Sequence, residues 1–370
     1  MNKKSEDIIF ALRPGSIQLN DIVLTSDFGL VPWGIRTFTK SDFSHAALCT
    51  MPDMLFEAVR DGVMRRSVIG TFAYRPDWIM VLRPRKSLAP NHLGLTVADY
   101  AEALYGRGYS RRGAVASRFP AIGAGEEGTF FCSQVIAHAF SEYGVDLVPG
   151  KTPAQIYPAL LVDSPELEDV TDGCIRQLGS VSNDDQYRLV IDTAGQEAPG
   201  AEMRMNRRVF EAVQKALGNH LPNGIHSLTE LSIWLSREHD SSAVRLADAP
   251  ILSVFEREGT FKWYEEFSGN AQRLAEILEF AARAAELSTQ EPRTAEIQSL
   301  IEDLKEAMPL AKAALERRQG TARDYEELAQ TTRLQTFERL ASIYRRQCDD
   351  AARIDKARMR LVDALDQRQA

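Results

Sequence analysis

The sequence is poor in the features that mark whole classes of protein. It carries four cysteines, Cys49, Cys132, Cys174 and Cys348, far apart and with no CxxC pair. This excludes paired-cysteine zinc modules and a disulfide scaffold, and fits reduced thiols in a cytosol. His220, His226 and His239 stand in polar, capping-type sequence without HExxH or similar ligand spacing, so no metal and no other cofactor is expected.

Long apolar runs are missing too. Nothing approaches the roughly 18 uncharged apolar residues that a membrane helix requires, so no integral membrane segment is expected. The opening MNKKSEDIIFALRPG has too short an apolar stretch for a secretory signal, which points to a cytoplasmic protein, or to one exported uncleaved by a specialised secretion system. No Lys/Arg tract stands out, and 52 acidic residues outnumber 44 basic ones. Nucleic acid is therefore not an expected partner.

What remains is an ordinary globular composition, 44% hydrophobic and 26% charged, in a 370-residue chain long enough for two or three domains. Up to about residue 160 the pattern is mixed, with short aliphatic segments between turn signals. DIVLTS (21–26), SHAALCTM (44–51), MLFEAV (54–59), GVMRRSVI (62–69) and WIMVLRP (78–84) read as strands. TVADYAEALYG (96–106) reads as a helix with Val97, Tyr100, Ala101 and Leu104 on one face. TFFCSQVIAHAFSEYG (129–144) contains a second helix, closed by Gly144 and with Cys132 in its first turn.

Between 145 and 200, Pro, Gly, Asp and Ser clusters surround one further expected strand, YRLVID (187–192), and a domain boundary is placed near residue 180. Beyond about 205 the chain reads as helix. Asn206 is an expected cap for RRVFEAVQKAL, and Ser227 with Glu230 has capping-box spacing. In the last helix Phe337, Leu340, Tyr344, Cys348, Ala351, Ile354, Leu361 and Leu365 form a coiled-coil-like stripe that needs a partner helix, in this chain or in a second copy.

Three residues of the first part could carry chemistry. Cys132 at a helix N-terminus sits where partial positive charge favours a thiolate and where free amides could hold an oxyanion, with Phe130 and Phe131 anchoring the turn. His45 opens a strand, where its ring can reach a cleft as the base a cysteine nucleophile needs. Glu57 interrupts the apolar MLFEAV, and could accept the second imidazole N–H if its strand lies beside that of His45. Taken singly, each also has a plain structural explanation: a small buried thiol, a structural histidine, an outward carboxylate. His138, six residues after Cys132, is turned about 240° away, and Cys49 reads as packing.

The order SDFSHAAL, MLFEAVRDGVMRRS, TFFCSQVIAHAF resembles the circularly permuted branch of the NlpC-type papain-like cysteine peptidases, the YiiX-like relatives of cell-wall hydrolases. In that branch the histidine strand precedes the cysteine helix. GSIQLNDIVLTS is similar to the family's opening strand, and YGRGYS stands where members have a Tyr-Asp pair, although here Tyr109 is followed by Ser110. The likeness covers roughly residues 14–160.

It implies a permuted papain-like domain with an antiparallel sheet and a cysteine-bearing helix, placed over residues 1–180; with the helical pattern downstream, read as a mostly helical region over 181–370, the expected fold class is α+β. It further implies Cys132 as nucleophile, His45 as base, Glu57 as its orienting carboxylate, and Ser44, Tyr109 and Phe131 as substrate-pocket candidates. The implied substrate is a peptide, of peptidoglycan type or otherwise, or an acyl lipid. The competing expectation is an inactive papain-like scaffold, assembled as a homo-oligomer or with a protein partner through its C-terminal helices.

Overall fold

The computed structural model describes residues 9–13, 15–26, 43–51, 54–68, 71–73, 75–92, 94–110, 113–114, 128–178, 199–287 and 294–367. The architecture is α+β. The chain divides into two compact units, the first comprising Met1–Ile191, Glu197–Arg207 and Gly224–Leu231, the second Asp192–Gln196, Arg208–Asn223 and Ser232–Ala370.

The first unit begins with β1 (Ile9–Leu12), β2 (Ile22–Thr25), β3 (His45–Met51), β4 (Met54–Val59), β5 (Gly62–Ser67), β6 (Phe72–Ala73) and β7 (Ile79–Pro84). It continues with α1 (Val97–Glu102), β8 (Gly108–Tyr109), β9 (Thr129–Phe130), α2 (Cys132–Tyr143), α3 (Pro158–Val162), β10 (Leu167–Asp169), α4 (Thr171–Cys174) and β11 (Ile175–Leu178). The principal sheet has six antiparallel strands in the order β10-β7-β2-β3-β4-β5. A second antiparallel sheet runs β11-β1-β6, and β8 with β9 forms a short parallel ribbon.

Period-two alternation gives the principal sheet two apolar faces. Ile22, Leu24, Ala46, Leu48, Phe56 and Ala58 face a helical layer made of Val97 and Ala101 from α1 and Val135, Ile136, Ala139 and Phe140 from α2. Val23, Ala47, Cys49, Leu55, Ile79 and Val81 face the opposite way, onto Leu12, Ala73 and Cys174. β3 is buried on both faces, which is why its sequence reads as a near-continuous apolar run.

Both expected helices form, with differences at the ends. α1 stops at Glu102 rather than 106, and its Thr96–Asp99 pair makes a reciprocal capping box. α2 ends on Gly144 in the left-handed conformation, at φ 103°, where a Cβ would be strained. The strand expected at 187–192 lies outside the described residues.

α5 (Pro199–Leu217) starts well before the position an Asn206 cap would set, with Pro199 at its head and Glu202 in its first turn. Asn206 is thus a mid-helix residue, buried, and its Oδ1 has no hydrogen-bond partner among the described residues. Ser227 does act as a cap: α6 (Leu228–Arg237) starts directly after it, and its Oγ accepts the Glu230 N–H at 3.2 Å.

In the second unit α7 (Ser242–Arg257) is capped by Ser241, whose Oγ accepts from the Val244 amide. Three long helices follow, α8 (Thr260–Leu287), α9 (Thr294–Thr332) and α10 (Gln335–Asp366). The α10 stripe finds partners within the chain. Tyr344 stacks on Tyr325 of α9 at 4.9 Å and lies 5.8 Å from Tyr264 of α8, while Leu361 and Leu365 pack with Leu278 and Ala282. Matching positions rise together along α8 and α10, and run oppositely along α9 and α10, where Lys305 pairs with Asp366. Among the described residues no helix is long and apolar enough to cross a membrane.

Candidate active site

Local sequence explains why Cys132 opens a helix. Phe131 is extended (φ −109°, ψ 169°), its amide is capped by the Gln134 side chain at 3.4 Å, and its ring is buried at 2% exposure. Burying that ring on one side of the junction and Val135, Ile136 and Phe140 on the other fixes where the helix starts. Ser133, fully buried, ties the first turn to the Ile156 carbonyl with its hydroxyl at 2.8 Å.

The histidine and the carboxylate meet through strand register. Leu48 lies opposite Phe56, and the same register puts Glu57 opposite Ala47, one diagonal step from His45 on the same face. Their side chains bond, His45 Nε2 to Glu57 Oε2 at 2.7 Å, with side-chain exposures of 15% and 6%. β5 supplies a third member. Arg66, opposite Leu55, brings Nε to 2.8 Å from the same Glu57 oxygen and donates through Nη1 to Thr71 Oγ1.

Cys132 completes the constellation from the helical layer. Its thiol interacts with the His45 side chain and with the backbone amides of Ala46 and Ser133. Nε2 is committed to Glu57, which leaves Nδ1 as the ring nitrogen free to exchange a proton with the thiol. The contact forms where β3 begins, so the strand carries His45 and, in the next residue, an amide that stabilises its partner.

Electrostatics follow from these contacts. Burial alone would disfavour charge on each group. For Glu57 burial is outweighed by the charges of Arg66 and His45 and by hydrogen bonds to both, which hold its carboxyl down at about 2. For His45 burial is outweighed by the Glu57 charge and by hydrogen bonds to Cys132 and Glu57, which push the imidazole up to about 10. For Cys132 burial is outweighed by the hydrogen bond and charge of His45 and by the Ala46 and Ser133 amides, so the thiol is held below its ordinary value of 9.0. Each ionised form is thus favoured by its neighbours: the thiolate by His45, the imidazolium by Glu57, and the carboxylate by Arg66 and His45.

The other candidates take distinct places. Ser44 is buried immediately before His45, its amide bonded to the Thr25 carbonyl at 3.0 Å. Tyr109 pairs with Phe130 in the β8–β9 ribbon and is partly buried against the core. Phe131 is an internal anchor whose ring leaves 3.3 Å for a Cβ at Gly113. His138 packs on Phe130, ring centroids 5.5 Å apart, with its pKa lowered by burial. Cys49 is buried in the opposite sheet interface and donates to the Met51 carbonyl at 3.2 Å. Among the described residues no group of three or more His, Cys, Asp or Glu side chains could hold a metal ion.

Arg66 is the member that sequence reasoning missed. It sits in a Met-Arg-Arg-Ser stretch with nothing local to single it out, and only the register of β4 against β5 aims it at Glu57. The one available signal was a buried carboxylate in MLFEAV, which needs a cation. No protein-family model matches this sequence, and no curated protein matches it.

Proposed function

We propose that this chain is a cysteine hydrolase of permuted papain-like type, acting on an amide or ester through an acyl-enzyme on Cys132. The observation that carries this reading is His45 bonded at 2.7 Å to Glu57 through Nε2 while its ring also hydrogen-bonds the Cys132 thiol. A cysteine nucleophile needs a thiolate, a proton donor beside it and a group that orients the donor, and these residues hold all three.

In the proposed reaction the Cys132 thiolate adds to the substrate carbonyl carbon, and the carbonyl π pair moves onto oxygen. The Cys132 amide, in a first helical turn without an intrahelical acceptor, donates to that oxyanion. Collapse expels the amine or alcohol, which takes the proton from His45 Nδ1. A water then adds to the thioester, giving its proton to His45, and collapse returns the carboxylic acid, the thiolate and the imidazolium. Glu57, with Arg66 bonded to the same oxygen, holds the ring and its tautomer. The substrate class proposed is a peptide, peptidoglycan-type included, or an acyl lipid, and an acceptor other than water would make the enzyme an acyltransferase.

The test is covalent labelling. Wild type should react with an activated acyl probe at Cys132, Cys132→Ala should not, and His45→Gln should react far more slowly. Equal labelling in Cys132→Ala would remove the mechanism.

A further inference from the structure

The ribbon that leads into the cysteine helix is held by a residue far downstream in the chain. Arg107, directly before β8, donates through Nε to Glu230 Oε1 at 2.9 Å and through Nη2 to the same oxygen. The second Glu230 oxygen accepts the His226 amide at 2.7 Å. Both side chains are largely buried, at 17% and 15% exposure. The Arg107 guanidinium also lies over the Phe130 ring, 5.7 Å from its centroid.

Two further contacts place the same downstream stretch on the same ribbon. A Cβ at Gly106 would come 3.3 Å from Ser227 Cβ, and one at Gly128 would come 3.0 Å from the His226 ring. Gly128 has φ 77°, and it immediately precedes β9. Residues 226–230 therefore touch the entry to β8 and the entry to β9 together. Phe130, the last residue of β9, stands just before the Phe131–Cys132 junction.

We propose that Glu230 is a positioning residue for Cys132, acting through Arg107 and Phe130 to hold the β8–β9 ribbon that sets the first turn of the nucleophile helix. The inference rests on the proposed hydrolase reading, since a nucleophile must exist for it to be positioned. A loosened ribbon would let the sulfur drift from Nδ1 of His45 and from the Ala46 amide. α2 also has its own buried face against the sheet, independent of the pair.

The experiment compares full-length wild type, Glu230→Gln, Arg107→Gln and the double variant. Three quantities are read: the pH profile of Cys132 alkylation by iodoacetamide, kcat and KM for p-nitrophenyl acetate, and the thermal midpoint. The expected result is a roughly tenfold or larger fall in kcat in each single variant, KM changing less, with the alkylation midpoint moved upward. The double variant should be no worse than either single one. Glu230→Asp, which keeps the charge but withdraws it by one methylene, covers the case in which Glu230→Gln does not fold, and should shift the alkylation profile in the same direction. A lowered thermal midpoint with unchanged kcat and alkylation profile would overturn the positioning role and leave the hydrolase reading standing. An ordinary thiol profile for Cys132 in wild type would overturn both.

Discussion

Replacing Glu57 by glutamine tests the electrostatics of the site most sharply, because one carboxylate oxygen serves both His45 and Arg66. In the wild type burial works against the imidazolium, and the Glu57 charge is the largest influence opposing it. The Glu57→Gln side chain would keep a hydrogen-bonding oxygen but not the charge. His45 should then fall from about 10 toward or below its ordinary 6.5, and Cys132 should lose the imidazolium that holds its thiol down. A thiol at the ordinary value of 9.0 is about 1% ionised at pH 7. From a fully ionised thiol, return to that ordinary value would cut the thiolate fraction at pH 7 about a hundredfold.

The assay is the second-order rate of Cys132 alkylation by iodoacetamide across pH 4 to 10, read by mass spectrometry of the Cys132 peptide. Wild type should show a reactive plateau extending well below pH 9, and Glu57→Gln a midpoint shifted upward. Superimposable profiles would refute the claim that Glu57 sets the ionisation of the pair. Stability provides the companion measurement. Glu57 is depressed from 4.5 to about 2, so its contribution is present above 4.5 and lost as pH falls through about 2. That shift is worth about 3 kcal/mol. His45 is raised from 6.5 to about 10, so its contribution is present below 6.5 and lost as pH rises through about 10. The two describe one shared pair and are not added. Urea unfolding should therefore show the largest wild-type advantage over Glu57→Gln between pH 4.5 and 6.5.

Arg66→Met leaves the Glu57 carboxylate with His45 alone, so the acid limb of activity on p-nitrophenyl acetate should move to higher pH; an unmoved limb would mean that Arg66 only packs. Phe131→Ala removes a buried ring beside Cys132 and should cost about 3–5 kcal/mol in chemical denaturation, together with Cys132 reactivity; a loss under about 1 kcal/mol would deny it the anchoring role. Cys49→Ser, in the opposite sheet interface, should leave Cys132 alkylation unchanged at neutral pH, which the same peptide mass spectrometry reads. Phe337→Ala in α10, which removes a fully buried ring, should likewise destabilise the chain by about 3–5 kcal/mol in urea unfolding.

The principal sheet was largely legible in the sequence because its strands are short apolar runs bounded by turn residues; MLFEAV matches β4 residue for residue. β1 went unread because IFAL carries no alternation, and its partners lie at Phe72–Ala73 and Ile175–Leu178, a pairing no local window can see. Asn206 has the chemistry of a cap, yet Pro199 and Glu202 upstream start the helix earlier, so local capping signals competed and the more N-terminal set prevailed. The site was legible to the extent that its residues break local rules, as a histidine opening a buried strand, a carboxylate inside an apolar run and a cysteine at a helix start all do. Arg66 and Glu230 break none, since each is a charge in a polar neighbourhood and acquires meaning only through register or tertiary contact.

The central claim is that Cys132 forms an acyl-enzyme with His45 as its acid and base. Full-length protein mixed with p-nitrophenyl acetate, quenched in acid and digested should yield an acetyl adduct on the Cys132 peptide alone, transient in wild type and absent from Cys132→Ala. Acetylation spread evenly over Cys49, Cys132, Cys174 and Cys348, or occurring at Cys132 as fast in His45→Gln as in wild type, would contradict the account.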